Sequence, residues 1–152
     1  VEQALDRLKL RGADADRTTP IILQTFGEST ARALHDRRIG LADNWIRHVQ
    51  DVRNKHRAWL EGMPDEAMRL AALCELNVLE QTLNVCETTV VQDAWARGQP
   101  VVVHAWVYGL QNGLIEDLKL SVDAAGDLAA AYGLAMGALK NRYDAQRKQG
   151  RP

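Results

Sequence analysis

The chain has 152 residues, of which 46% are hydrophobic and 26% charged, and its 19 Lys and Arg residues against 20 Asp and Glu residues give a net charge of −1. This size and apolar content predict one folded domain with a substantial core and exclude a disordered chain. The balanced charge predicts no nucleic-acid partner, because nucleic-acid-binding domains are usually basic, and no apolar run approaches the roughly 20 residues that a membrane helix needs.

The two cysteines, Cys74 and Cys86, lie twelve positions apart within one helical pattern. A straight helix would separate them by about 18 Å, whereas a disulfide needs Cα atoms within about 7 Å. We therefore expect two free thiols, a reducing compartment and a cytoplasmic location. The residues given begin without a basic-then-apolar leader, so we expect no secretory signal.

The first 38 residues predict a helix, a strand and a second helix. Apolar positions fall on one helical face over residues 1–10, and Pro20 opens the apolar run of residues 20–26, which is typical of a buried strand. After Gly27, either Ser29 or Thr30 is placed to cap a helix that continues to Arg38.

Three helices are predicted next. In residues 43–60, apolar or aromatic positions recur at alternating spacings of four and three, and they are Trp45, Val49, Val52, His56 and Trp59. This spacing places them on one helical stripe. A breaker at residues 62–64 precedes a helix over residues 65–85 with inward-facing leucines, and a short helix over residues 89–96 ends before Gly98.

From residue 101 the hydrophobic period changes to two. Residues 101–108 are rich in β-branched and aromatic side chains, Asn112-Gly113 is a strong hairpin signal, and residues 114–120 return as the partner strand. Both faces of the first strand are apolar, so we expect His104 to be buried and hydrogen-bonded to a backbone carbonyl or a carboxylate. A helix over residues 127–143 follows, and then a basic tail over residues 144–152, which we interpret as a solvated helix end.

The imidazoles of this sequence are His35, His48, His56 and His104. His48 and His56 are eight positions apart, which is not the i,i+4 spacing of a helical metal pair. We interpret His56 as a packing or hydrogen-bonding residue and His104 as structural, not as a metal ligand or a catalytic base. The sequence contains no GxSxG, Walker, dinucleotide-binding or HExxH motif.

From Ile39 to Tyr143 the sequence resembles the C-terminal half of a β-class carbonic anhydrase. The resemblance is carried by GLADNWIRH at residues 40–48, MP at 63–64, LCELNVLEQ at 73–81, GQP at 98–100, VHAWVYG at 103–109 and NGL at 112–114. One departure is Ala105, where the family usually has Gly. The resemblance implies an α/β fold with a small, mainly parallel sheet, an antiparallel edge hairpin and flanking long helices. Residues 1–152 are then one domain, with residues 1–38 divergent or rearranged, 39–143 family-like and 144–152 a basic tail.

The resemblance also implies zinc chemistry, in which two Cys and one His hold a zinc ion beside an Asp-Arg pair and zinc-bound hydroxide attacks carbon dioxide. These residues come from a Cys-x-Asp-Ser-Arg segment and a His-x-x-Cys segment. No Cys-x-Asp-x-Arg occurs in this sequence, and the segment laid on His-x-x-Cys reads Thr25-Phe26-Gly27-Glu28. Glu28 alone cannot hold a catalytic zinc, and we interpret it as a favourable charge at a helix N-terminus.

We therefore expect no catalytic, cofactor-binding or metal-binding residue in this chain, no bound zinc, and no reaction with carbon dioxide or bicarbonate unless the site is completed elsewhere. Two explanations stay open: a shortened or rearranged relative that has lost its metal site, and a fragment whose ligands belong to an intact enzyme. If zinc were bound after all, His48, His56, Cys74 and Cys86 would be the residues to mutate.

The alternative role is that of a non-catalytic, oligomerising subunit. We expect a homodimer or higher homo-oligomer with an interface from the helices at 43–60 and 65–85, and with Trp45 and Trp59 as candidate anchors. The opposing interpretation is that both tryptophans pack inside their own subunit. Some family members bind bicarbonate at a non-catalytic pocket near the position of Tyr108, and we expect no such pocket here.

Overall fold

A computed structural model describes residues 43–109 and 113–149. Within these residues the chain forms five α-helices and two strands. In chain order they are α1 (Asp43–Lys55), α2 (Arg57–Glu61), α3 (Glu66–Cys86), α4 (Thr89–Ala96), β1 (Val103–Tyr108), β2 (Ile115–Val122) and α5 (Leu128–Gln149), with a 3-10 turn (Ala125–Asp127) before α5. None of these helices is long and apolar enough to cross a bilayer. The helix, strand and helix predicted before residue 39 lie outside the described residues.

Helix α3 is the centre of the fold. It contacts α1, α2, α4, α5 and both strands, and its leucines at positions 73, 76 and 79 are completely buried. Its start is fixed by Asp65, whose side chain accepts a hydrogen bond from the backbone N–H of Met68 at 2.7 Å. The predicted helix with inward-facing leucines is confirmed.

The predicted continuous helix over residues 43–60 is wrong at one position. α1 ends at Lys55, α2 begins at Arg57, and His56 between them has φ −110° and ψ 16°. Lys55 and His56 both reach the carboxylate of Glu80 in α3. Because adjacent residues of a regular helix point about 100° apart, the local break lets both side chains approach one carboxylate.

Strands β1 and β2 form an antiparallel pair, which confirms the predicted hairpin. The pairing joins Val103 to Val122 at one end and Trp106 to Asp117 further along, with an irregularity between these two pairs. In the irregular segment Lys119 has φ 63°. The backbone N–H of Lys119 donates a hydrogen bond to the side chain of Asp117 at 2.8 Å. Within the described residues the sheet has these two strands only, so the mainly parallel sheet stays a prediction that depends on residues 20–26.

The final helix is longer than predicted. α5 continues to Gln149, so most of the predicted basic tail is helical. The physical reason is that residues 145–149 are Ala, Gln, Arg and Lys, which are good helix formers, and that no Gly or Pro follows Tyr143 before Gly150. Arg147 and Lys148 occupy the last turn, where positive charge is favourable beside the C-terminal end of the helix dipole.

Candidate functional site

The structure does not bring together the four residues that we would mutate if zinc were bound, which are His48, His56, Cys74 and Cys86. His48 is exposed on α1, Cys74 is half-buried within α3, and Cys86 is fully buried at the end of α3. The ring of His56 contacts Glu80. Across residues 43–109 and 113–149, no three His, Cys, Asp or Glu side chains are placed to hold one metal ion. His35 and Glu28 lie outside the described residues.

Neither cysteine forms a disulfide, and Cys86 is a buried thiol. Both cysteines are free, which confirms the prediction of no disulfide between them. Burial, and secondarily the charge of Glu87, raises the pKa of the Cys86 thiol to about 11. In the absence of a metal, Cys86 is therefore a protonated core residue at neutral pH.

A buried polar contact among the described residues centres on Glu80, which is 7% exposed in the second half of α3. Lys55 Nζ donates to Glu80 Oε2 at 2.8 Å, and His56 Nε2 lies 2.9 Å from Oε1. The Tyr132 hydroxyl donates to the same Oε1 at 2.5 Å. These four residues, which we name the Glu80 cluster, join the α1–α2 junction, α3 and α5. The predicted hydrogen-bonding role of His56 is confirmed.

The electrostatics of the Glu80 cluster suit a structural role. Burial alone would raise the pKa of Glu80, but the hydrogen bonds from His56, Lys55 and Tyr132 outweigh it and hold the pKa at about 2. Burial and the nearby carboxylate raise the pKa of Tyr132 above its ordinary value of 10. A general acid or base works best with a pKa near the operating pH. Glu80 and Tyr132 therefore hold their protonation states at neutral pH and tie the helices together.

A second network centres on Glu75, one and a half turns earlier in α3. Tyr143 donates its hydroxyl proton to Glu75 Oε1 at 2.8 Å, and Arg142 bridges the other oxygen of Glu75 to Glu116 on β2. Burial raises the pKa of Tyr143 to about 12, so its hydroxyl stays protonated and donates. This network links α3 to α5 and to β2, whereas the Glu80 cluster links α3 to α5 and to the α1–α2 junction.

His104 is buried on β1, as predicted, but its partner differs from the prediction. Its Nδ1 lies 2.8 Å from the hydroxyl oxygen of Ser121, the residue opposite it on β2. Its ring also stacks on Trp106, with centroids 4.8 Å apart. The predicted carbonyl or carboxylate partner is wrong because the strand register places a serine there. Burial lowers the pKa of His104, although the charge of Asp117 opposes this, so the ring is neutral at neutral pH. Further along β1, Tyr108 is 39% exposed.

Replacing His104 with Ala is expected to lower the free energy of unfolding by roughly 1–3 kcal/mol. The change removes the hydrogen bond to Ser121 and the stacking on Trp106 in a site that is 8% exposed. Chemical denaturation of the two proteins measures the difference, and Ser121→Ala isolates the hydrogen-bond part of it. A His104→Ala variant as stable as the parent would show that this strand register is wrong.

The predictions from sequence did not identify Glu75 and Glu80 as network centres. A signal was present, because both carboxylates lie inside the leucine-rich pattern of residues 73–81, and buried carboxylates require partners. Their partners Tyr132 and Arg142 are more than fifty positions away, and nothing in local spacing indicates the pairing. Trp59, a predicted interface anchor, contacts Tyr143 edge-to-face in its own chain at 5.8 Å. The side chain of Trp45 lies outside the described residues.

The chain is similar to known carbonic anhydrases in sequence and in fold. The sequence profile of the carbonic anhydrase family matches residues 27–115. A carbonic anhydrase from Emericella nidulans is 33% identical over 100 residues, which are 65% of this chain and 44% of that protein. Among solved structures, a Coccomyxa β-carbonic anhydrase in complex with acetazolamide superposes with a TM-score of 0.67 and 32% identity, over 85% of this chain and 56% of that one.

A tetrameric β-carbonic anhydrase from Sordaria macrospora shares the fold with a TM-score of 0.61 at 23% identity, over 80% of this chain and 62% of that one. The chain thus spans about half the length of the relatives it matches. The family profile nevertheless covers more than half of this chain, and the superposition on the Coccomyxa β-carbonic anhydrase covers 85% of it. The chain belongs to the β-carbonic anhydrase family.

Proposed function

We propose that this chain is a β-carbonic-anhydrase-like protein that holds no catalytic zinc by itself and does not hydrate carbon dioxide as given. The observation that carries the proposal is the donor set. A catalytic zinc needs three protein ligands around an open position. The sequence has two cysteines, both in α3, and the described histidines are separated from them and from one another.

The N-terminal residues support the same conclusion through their chemistry. No Cys-x-Asp-x-Arg occurs anywhere in the sequence, and Thr25 and Glu28 stand at the positions laid on the His and Cys of the family loop. Threonine and a single carboxylate do not replace an imidazole and a thiolate as zinc ligands. A reaction of carbon dioxide or bicarbonate would then need ligands from another chain or segment.

The sheet of this protein is proposed to be larger than the described hairpin. Residues 20–26 form an apolar run opened by Pro20, and the family resemblance aligns them with a parallel strand. Among the described residues, β1 pairs with β2 alone, so its other edge is available to such a strand. Pairing there would also blunt an open strand edge, which proteins usually cover.

The role that remains is assembly, and we propose a homo-oligomer in the cytoplasm. Two free cysteines support a reducing compartment. The Sordaria relative is tetrameric, which supports self-association as a property of this fold. Since Trp59, one of the two predicted anchors, packs on Tyr143 in its own chain, we look for the contact surface on exposed residues of other helices.

The catalytic part of the proposal is tested by stopped-flow measurement of carbon dioxide hydration with zinc supplied in the buffer. We expect the uncatalysed rate at every chain concentration, because no open zinc position forms. A zinc-loaded β-carbonic anhydrase measured in parallel is the positive control. A rate that rises in proportion to the chain concentration and disappears with a chelator would contradict the proposal.

A further inference from the structure

The outer side of α5 presents an exposed surface without charge. Ala130, Gly133, Leu134, Gly137 and Asn141 lie on it, and all five are exposed. The opposite side of the helix carries the buried residues Leu128, Ala135, Leu139 and Tyr143. Leu134 is 77% exposed, more than any other large hydrophobic side chain in the described part of the molecule. We name the five exposed residues the outer face of α5.

The described part of the subunit leaves space beside the two glycines of the outer face. A Cβ atom built at Gly133 or at Gly137 would meet no described residue within 4 Å, so packing against these residues does not require glycine there. Glycine is also the least favourable helix residue after proline. Glycines four positions apart on one helix face do, however, allow the backbone of a second helix to approach closely.

The charges at the two ends of α5 indicate which kind of helix could pack against its outer face. Asp123 and Asp127 precede α5 and are exposed, whereas Arg147 and Lys148 are exposed in its last turn. Arg147 lies 4.0 Å from the Asp144 carboxylate, so one acidic and two basic side chains give residues 144–149 a net positive charge. A partner of uniform charge would be repelled at one end. A second copy of α5 in antiparallel orientation places the acidic start of each helix beside the basic end of the other, and the two helix dipoles then oppose each other favourably.

We infer that two copies of this chain pack through the outer faces of α5, antiparallel about a two-fold axis, with Leu134 and the two glycines at the crossing. The inference rests on the homo-oligomer of the proposed function and assigns a surface to it. In a two-fold contact every interaction occurs twice, so one substitution on this face removes two contacts.

Leu134→Glu is the direct test, measured by sedimentation equilibrium of the full chain over a series of micromolar concentrations. The matched control is Val90→Glu on α4, because Val90 is 76% exposed. We expect the parent and Val90→Glu to associate alike and Leu134→Glu to associate about tenfold more weakly or worse. Because Leu134 is exposed, the circular dichroism spectrum of the dissociated variant should match that of the parent, which shows that the fold is retained.

Charge reversal tests the orientation. Asp127→Lys should weaken association, and the double variant Asp127→Lys/Lys148→Glu should restore it, since the complementary ends are exchanged. A parent that is monomeric throughout would overturn both this surface and the proposed oligomer. A parent oligomer that Leu134→Glu leaves unchanged would overturn the α5 surface alone and leave self-association through another face.

Discussion

Replacing Glu80 with Ala is expected to lower the free energy of unfolding by about 3 kcal/mol. The substitution removes the acceptor for His56 and Tyr132 at a position that is 7% exposed. Lys55, whose side chain is 54% exposed, returns to water, so most of the loss comes from the other two partners. Chemical denaturation followed by circular dichroism measures the effect.

The matched control for this prediction is Glu61→Ala, because Glu61 is an exposed carboxylate at the end of the neighbouring helix α2. It is expected to change the free energy of unfolding by less than about 0.5 kcal/mol. Glu80→Gln retains one acceptor oxygen and should fall between the parent and Glu80→Ala. If Glu80→Ala were no more destabilising than Glu61→Ala, the three-helix junction would not depend on this carboxylate.

The same carboxylate should make the protein sensitive to acid. The pKa of Glu80 in the folded chain is about 2, against an ordinary value of 4.5, and this difference corresponds to about 3 kcal/mol of stability. Because the folded pKa is the lower one, the stabilisation is complete above pH 4.5 and is lost as the pH falls towards 2. Free energies of unfolding measured at intervals between pH 7 and pH 3 should show the decline.

The Glu80→Gln variant separates this effect from the titration of other carboxyl groups. Glutamine does not titrate, so the variant should start less stable at pH 7 and lose less stability on acidification than the parent. Glu61→Gln, changed at an exposed position, should keep the full slope of the parent. A Glu80→Gln variant with an unchanged slope would mean that the acid sensitivity arises elsewhere.

The elements that the sequence predicted well are those fixed by local pattern. Helix α4 is found at the predicted residues, and Gly98, at φ 70°, terminates it as expected of a residue suited to the left-handed conformation. The hairpin was predicted because the change of hydrophobic period and the turn residues are both local signals. The sequence signals that determine each of these elements lie inside the element or within about ten residues of it.

The features that were not predicted depend on partner residues far away in the sequence. The break at His56 accompanies a contact with Glu80, 24 positions later, and the partner of His104 depends on the register and irregularity of β2. Glu75 and Glu80 are buried beside aromatic and basic residues of α5. No periodicity within α3 indicates which residues of α5 supply those donors. The sequence predicted no site residue: spacing alone identified no ligand set, and the expectation of a missing zinc site came from the family resemblance.

The zinc content of the folded chain tests whether this member of the β-carbonic anhydrase family lacks a catalytic zinc, as proposed. It is measured by inductively coupled plasma mass spectrometry after exposure to excess zinc and removal of unbound metal. We expect far less than one zinc per chain, while a zinc-dependent β-carbonic anhydrase treated in the same way retains about one. Retention of about one zinc per chain would show that this chain does assemble a zinc site.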